Sequence, residues 1–213
     1  MNETTHPQRK RSLLPLWILI GIFALPSIAA WFFYLNPQYL PASRSNRGEL
    51  IHPPRPVANL EFRAPQQEER FQLGELGANW TMVAIAEGLC SDTCREQLHD
   101  FQQIRLALAE NQYRVQRLLI LTDPSEGGTA GIEADYPGTR VVIAQGDQLA
   151  ALQRSFGDGT PESIRETRFL IDPLGNVMMR YAPQAPSKDL LQDLEKLFKA
   201  SKNWIKGAQY GHK

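Results

Sequence analysis

Apolar positions divide the chain into an unbroken run near its start and a longer stretch where they recur at strand and helix spacing. From Leu13 to Leu35 no charged side chain occurs, and Leu, Ile, Phe, Trp and Ala dominate. Roughly 20 apolar residues in a helix cross a bilayer core, so this run is long enough to span one. Pro15 and Pro26 lie within it, and membrane helices tolerate proline. Trp31, Tyr34 and Tyr39 gather at its far end, as an interfacial aromatic belt would. A cleaved signal peptide carries a shorter apolar region, roughly 7–15 residues, followed by small residues. Here the run leads into Trp31-Phe32-Phe33-Tyr34, which suits no signal peptidase. A transmembrane helix is expected over residues 13–35.

Residues 36–67 lose this patterning and hold six prolines among polar side chains. They read as an extended tether, ending in an edge strand near Asn59–Phe62. A domain over residues 68–200 follows. Trp80–Ala86 is an apolar run of strand length, suited to a buried strand. Leu98, Phe101, Ile104 and Leu108 then keep the spacing of one buried helix face. This predicts a helix from Ser91 to Asn111, with Ser91 or Asp92 as its N-cap. Val115–Thr122 predicts the next strand, closed by Asp123-Pro124, and Val141–Ala144 another. Asp147–Phe156 reads as a short helix with Leu149, Leu152 and Phe156 on one side. Phe169–Ile171 and Val177–Tyr181 flank Asp172-Pro173-Leu174-Gly175-Asn176, a turn sequence that makes them a hairpin. Ser187–Ala200 carries Leu190, Leu191, Leu194, Leu197 and Phe198 and predicts a closing helix capped by Ser187. The tail, residues 201–213, is expected to fray. The order of elements is that of an α/β domain whose sheet is covered on both faces.

Charge gives this plan an orientation. Arg9, Lys10 and Arg11 stand just before the apolar run, with no comparable cluster just after it. Positive charge stays inside, so residues 1–12 are expected in the cytoplasm and the domain in the periplasm of a bacterial inner membrane. Lys plus Arg and Asp plus Glu each total 23, and 42% of residues are apolar. That is ordinary for a globular core that needs no disulfide staples. A balanced chain without a basic surface excludes nucleic acid as a partner, leaving membrane lipid around the anchor.

The two cysteines are too few for a disulfide scaffold, and their spacing in Cys90-Ser91-Asp92-Thr93-Cys94 points to redox or metal chemistry. Both fall where a buried strand meets a helix, where the helix dipole and free N–H groups stabilise a thiolate. Residues four apart on a helix lie about one turn from each other, near enough to form a disulfide or to grip one soft ion. Thiolates select Cu(I) over harder cations. The structural alternative is a fixed disulfide, which would close a very short loop and add little entropic stability. In an exchange reaction Cys90, at the more exposed helix start, would attack and Cys94 would resolve the mixed disulfide.

Residues from Phe71 to Phe198 resemble the Sco/SenC proteins, membrane-tethered thioredoxin-like factors for cytochrome c oxidase assembly. The likeness is carried by the N-terminal anchor, CxxxC after an apolar strand, Leu121-Thr122-Asp123-Pro124, and the segment Phe169–Val177. The resemblance implies a thioredoxin-like fold and copper as a cofactor on Cys90 and Cys94. It implies as partners a respiratory oxidase subunit or its copper chaperones, served by thiol-disulfide exchange or Cu(I) transfer. The chain departs from that family in having Ser91 where the relatives have proline. Ile164 stands near the position of their third copper ligand, a histidine, and Ser163–Arg168 contains none. His99 lies about 140° around a helix from Cys94 and faces away. His52 belongs to the tether, His212 to the tail, and His6 to the other side of the membrane. Met178 and Met179 alternate across a strand, one of them filling the core.

Two other readings stand beside oxidase assembly: a general extracytoplasmic thiol-disulfide oxidoreductase, and a non-catalytic thioredoxin-like adaptor. Peroxide chemistry is disfavoured because Glu87-Gly88-Leu89, rather than a nearby Thr or Ser, precedes Cys90.

Overall fold

The computed structural model describes residues 13–36, 39, 46–65, 70–123, 129 and 131–201. The expected cytoplasmic start, residues 1–12, and the tail beyond Ser201 lie outside them. The chain forms two compact units, Met1–Ser45 and Asn46–Lys213.

The first unit contains α1, Leu14–Leu35, with proline at its first turn and Pro26 inside. Within it Trp17–Leu35, 19 residues, is long and apolar enough to cross a membrane. Near the internal proline, the Ser27 hydroxyl donates back to the Phe23 carbonyl at 3.3 Å. At the end, Asn36 Nδ2 donates to the Phe32 carbonyl at 3.0 Å.

The second unit is built on an eight-stranded sheet in the order β1-β8-β7-β4-β5-β6-β2-β3. Its strands are β1 Glu49–Pro56, β2 Glu61–Arg63, β3 Arg70–Gln72, β4 Trp80–Glu87, β5 Val115–Thr122, β6 Thr139–Ala144, β7 Arg168–Ile171 and β8 Asn176–Tyr181. Among the described residues four α-helices follow α1: α2 Asp92–Ala107, α3 Ile132–Asp135, α4 Asp147–Phe156 and α5 Ser187–Ala200. Strands β4, β5 and β6 are parallel, whereas β7 runs antiparallel to β4 and forms a hairpin with β8.

Side-chain alternation divides the core in two. Along β4, Trp80, Met82, Ala84 and Ala86 face one layer with Leu98 and Phe101 of α2 and Leu190 and Leu194 of α5. Val83 and Ile85 face the other, with Leu152 and Phe156 of α4 and Phe169 of β7. A strand buried on both faces reads as a continuous apolar run, which is why Trp80–Ala86 shows no polar alternation.

The structure corrects several expectations. Within the stretch expected as a tether, residues 36–67, Glu49–Pro56 and Glu61–Arg63 are strands of the sheet, β1 pairing antiparallel with β8. Pro53, Pro54 and Pro56 masked this strand. They are tolerated because β1 lies at the sheet edge, and its register shifts between Leu50 and Arg55. The edge strand expected near Asn59–Phe62 is β2, Glu61–Arg63, which lies between β6 and β3 rather than at an edge. Helix α2 stops at Ala107 rather than Asn111, since Ala109 takes a positive φ of 47° and a 3-10 segment follows. Ser187 is the first residue of α5, not its cap, and Pro186 precedes it with no side-chain capping bond. Ser201, assigned to the tail, is buried and accepts a hydrogen bond from Arg114 at 3.2 Å.

Candidate functional site

Strand β4 ends at Glu87, and Gly88 turns the chain with a φ of +66°. Its N–H still donates to the Thr122 carbonyl at 2.8 Å, holding the turn against the end of β5. Leu89 is exposed, Cys90 follows, and Ser91 is the N-cap of α2, settling the choice between Ser91 and Asp92. The Ser91 hydroxyl accepts from the Cys94 backbone N–H at 3.2 Å. Cys94 is therefore the third residue of the helix, and Cys90 lies just before the cap.

The two cysteines form a disulfide with Cα atoms 5.2 Å apart. They are thus neighbours at the strand-to-helix junction. Cys94 is 1% exposed and packed in the layer with Leu98 and Phe101, and Cys90 retains 8%. Access to the pair is narrow and lies on the Cys90 side.

The segment ahead of β7 is hydrogen-bonded to α2 through Gln97. Gln97, one turn beyond Cys94, is buried, and its Nε2 donates to the Glu166 carbonyl. Glu166 holds a positive φ of 54°, and its N–H donates to the Ile85 carbonyl at 3.2 Å. Arg165 pairs with Glu87. Arg168, buried at the start of β7, reaches Asp100 of α2 at 3.4 Å and donates to the Ala185 carbonyl. Burial pulls its guanidinium below the ordinary value, and the Asp100 charge opposes that shift. Gln97, Asp100, Glu166 and Arg168 were not foreseen from sequence. Gln97 carried a signal, being three residues from Cys94 and so on the same helix face. The left-handed Glu166 carried none.

The donors for copper do not assemble. Cys90 and Cys94 are bonded to each other, and a disulfide offers no thiolate to a metal. Ile164, near the place of the relatives' histidine ligand, is buried in the opposite core layer with Val83 and Ile85. His52, on β1, and His99 are exposed, while His6 and His212 lie outside the described residues. Among the described residues no three Cys, His, Asp or Glu side chains come together as a metal site. Met179 is the core-facing methionine of its pair; its sulfur lies 3.6 Å from the Tyr181 oxygen.

Residues 80–201 match the family described as transmembrane-like, thioredoxin-like, C-terminal domain. No curated protein matches the chain. Among solved structures, a Sco protein of Arabidopsis thaliana with copper bound is 14% identical, with a TM-score of 0.54 over 72% of this chain and 98% of its own. A SCO1/SenC family lipoprotein of Bacillus anthracis is 14% identical, with a TM-score of 0.52 over 69% and 98%. The thioredoxin domain of a thiol-disulfide oxidoreductase of Bacteroides vulgatus is 17% identical, with a TM-score of 0.52 over 69% and 99%. At these identities the likeness speaks for the fold, which is thioredoxin-like as the Sco/SenC resemblance implied.

Proposed function

The chain belongs to the transmembrane-like, thioredoxin-like C-terminal domain family, and from that premise we propose that it is a membrane-anchored thiol-disulfide exchange factor. The observation that carries this reading is the disulfide between Cys90 and Cys94 across the N-terminus of α2, at the end of a buried strand. The helix N-terminus stabilises a thiolate, and Cys94 stands in place to resolve whatever Cys90 captures.

In the working direction the reduced pair meets a partner disulfide. The Cys90 thiolate attacks one partner sulfur, the partner S–S bond breaks, and the released partner thiolate takes a proton. The Cys94 thiolate then attacks Cys90 Sγ, closing the intramolecular disulfide and releasing the second partner thiol. Two electrons pass to the partner, and a dithiol donor restores the pair. Apolar α1 holds this chemistry at a membrane, with the domain on the periplasmic side of a bacterial inner membrane.

The client we favour is a copper-containing respiratory oxidase subunit or one of its copper chaperones, whose metal-binding cysteines must be reduced before loading. The structural relatives named for Sco support this choice. Among the described residues no third donor joins Cys90 and Cys94, so the role is assigned to exchange.

The burial of both cysteines favours a second reading, a fixed structural disulfide. Equilibrating the full chain in detergent against dithiol redox buffers, then alkylating free thiols, separates the two. Reversible two-electron opening within the range of exchange proteins supports the proposal. A pair that stays closed below roughly −300 mV is structural and ends it.

A further inference from the structure

Beside the disulfide lies a groove of about 440 Å³ that starts at Thr93, inside the motif, and runs along α2 to residues 183–187 at the start of α5. Glu96, Gln97 and Asp100 line it from α2, and Glu166 and Arg168 from the opposite side. Its charges do not cancel. Arg168 is buried and engaged by Asp100 and the Ala185 carbonyl, whereas Glu96 is exposed and Glu166 half-buried.

Gln97 is an independent pointer. It is only 3% exposed, and its amide nitrogen is spent on the Glu166 carbonyl. Its Oε1 accepts no hydrogen bond among the described residues. That oxygen, on a side chain lining the open groove, can accept from a donor supplied from outside. Two carboxylates and a free acceptor select N–H groups and positive charge.

We propose that this groove docks an extended segment of the partner polypeptide in which lysine or arginine flanks the reacting cysteine. The proposal rests on the exchange reading above and adds the charge of the partner. Complementary charge at such a rim acts on the association rate and fades with salt.

The test uses the full chain, reduced, in detergent micelles. Three synthetic peptides carry one cysteine in a disulfide with a chromogenic thiol, flanked by lysines, serines or glutamates. The Cys90 thiolate takes the peptide sulfur and releases the chromogenic thiolate, which is followed by absorbance. Each rate is divided by that of 2-mercaptoethanol with the same peptide, removing intrinsic reactivity. The lysine peptide should react about tenfold faster than the glutamate peptide at low salt, within the span typical of association rates. In an E96Q/E166Q variant the ratio should fall to within about twofold. Equal rates for all three peptides, or a ratio untouched by E96Q/E166Q, would overturn the docking groove and leave exchange standing. If no peptide reacts, the exchange reading falls and the groove with it.

Discussion

The buried carboxylate of Asp193, on α5, accepts a hydrogen bond at 2.8 Å from the backbone N–H of Gly48, the residue that leads into β1. The Arg47 N–H donates to the same carboxylate at 2.8 and 3.0 Å, and the Tyr181 hydroxyl at 3.1 Å. A side chain on residue 48 would place its Cβ 2.5 Å from the Tyr181 ring, so glycine is required there. One carboxylate therefore secures the start of the folded domain to its last helix.

Replacing Asp193 by alanine leaves these donors without their acceptor. Stranding buried polar groups costs roughly 1–3 kcal/mol each, so Asp193→Ala should lower unfolding free energy by about 3 kcal/mol, read from a urea transition. A loss under about 0.5 kcal/mol, the scale of an ordinary surface change, would mean the clasp contributes nothing.

Tyr181 gives the same region a pH signature. Burial first, then the charge and hydrogen bond of Asp193, hold its phenol well above the ordinary value of 10.0. Above that pH the unfolded chain releases the phenolic proton while the folded chain keeps it, so stability must fall as pH rises beyond about 10. Below it the contribution is fully present. Tyr181→Phe should flatten this alkaline limb, measured as Tm against pH, even if it lowers stability at neutral pH.

The cysteines should behave unequally. With a model disulfide peptide, Cys94→Ser should accumulate a mixed disulfide at Cys90, visible by mass after acid quench, because nothing remains to resolve it. Cys90→Ser should give none, as Cys94 is sealed in the core. Equal trapping by both variants would contradict the assignment of attacking and resolving sulfurs.

Ser91 should matter to the helix that carries the site. Its hydroxyl is the side-chain cap of α2, and losing such a cap costs about 1 kcal/mol. Ser91→Ala should lower Tm by a few degrees, while Ser91→Asp, which keeps an acceptor, should restore it.

The anchor can be tested by charge. An arginine at the centre of a membrane helix costs about 2.5–3.5 kcal/mol of insertion. Phe23→Arg in α1 should therefore reduce the fraction of chain that resists alkaline carbonate extraction. Unchanged retention would detach membrane association from this helix.

The sequence made the interior legible and the margins opaque. Val115–Thr122, Asp147–Phe156 and Ser187–Ala200 match β5, α4 and α5 residue for residue, because continuous burial or a single helical stripe leaves a periodic trace. Edge strand β1 left none: it touches a neighbour on one side only, and its prolines resemble those of a linker. Cys90 and Cys94 could be placed together because four residues across a helix start fix their distance. Gln97 and Glu166 meet 69 residues apart, a pairing that exists only once β7 has returned beside β4. The buried Asp193 was hidden likewise, since a lone acid in an amphipathic helix looks like a solvated residue until its donors arrive from Arg47 and Gly48.

The prolines of β1 also decide how such domains can share a crowded bilayer. A free sheet border with open N–H and C=O groups invites a strand from a neighbouring molecule. Pro53, Pro54 and Pro56 lack N–H groups and line one border, while the opposite border, β3, is only three residues long. Both features disfavour sheet-to-sheet pairing between neighbouring molecules.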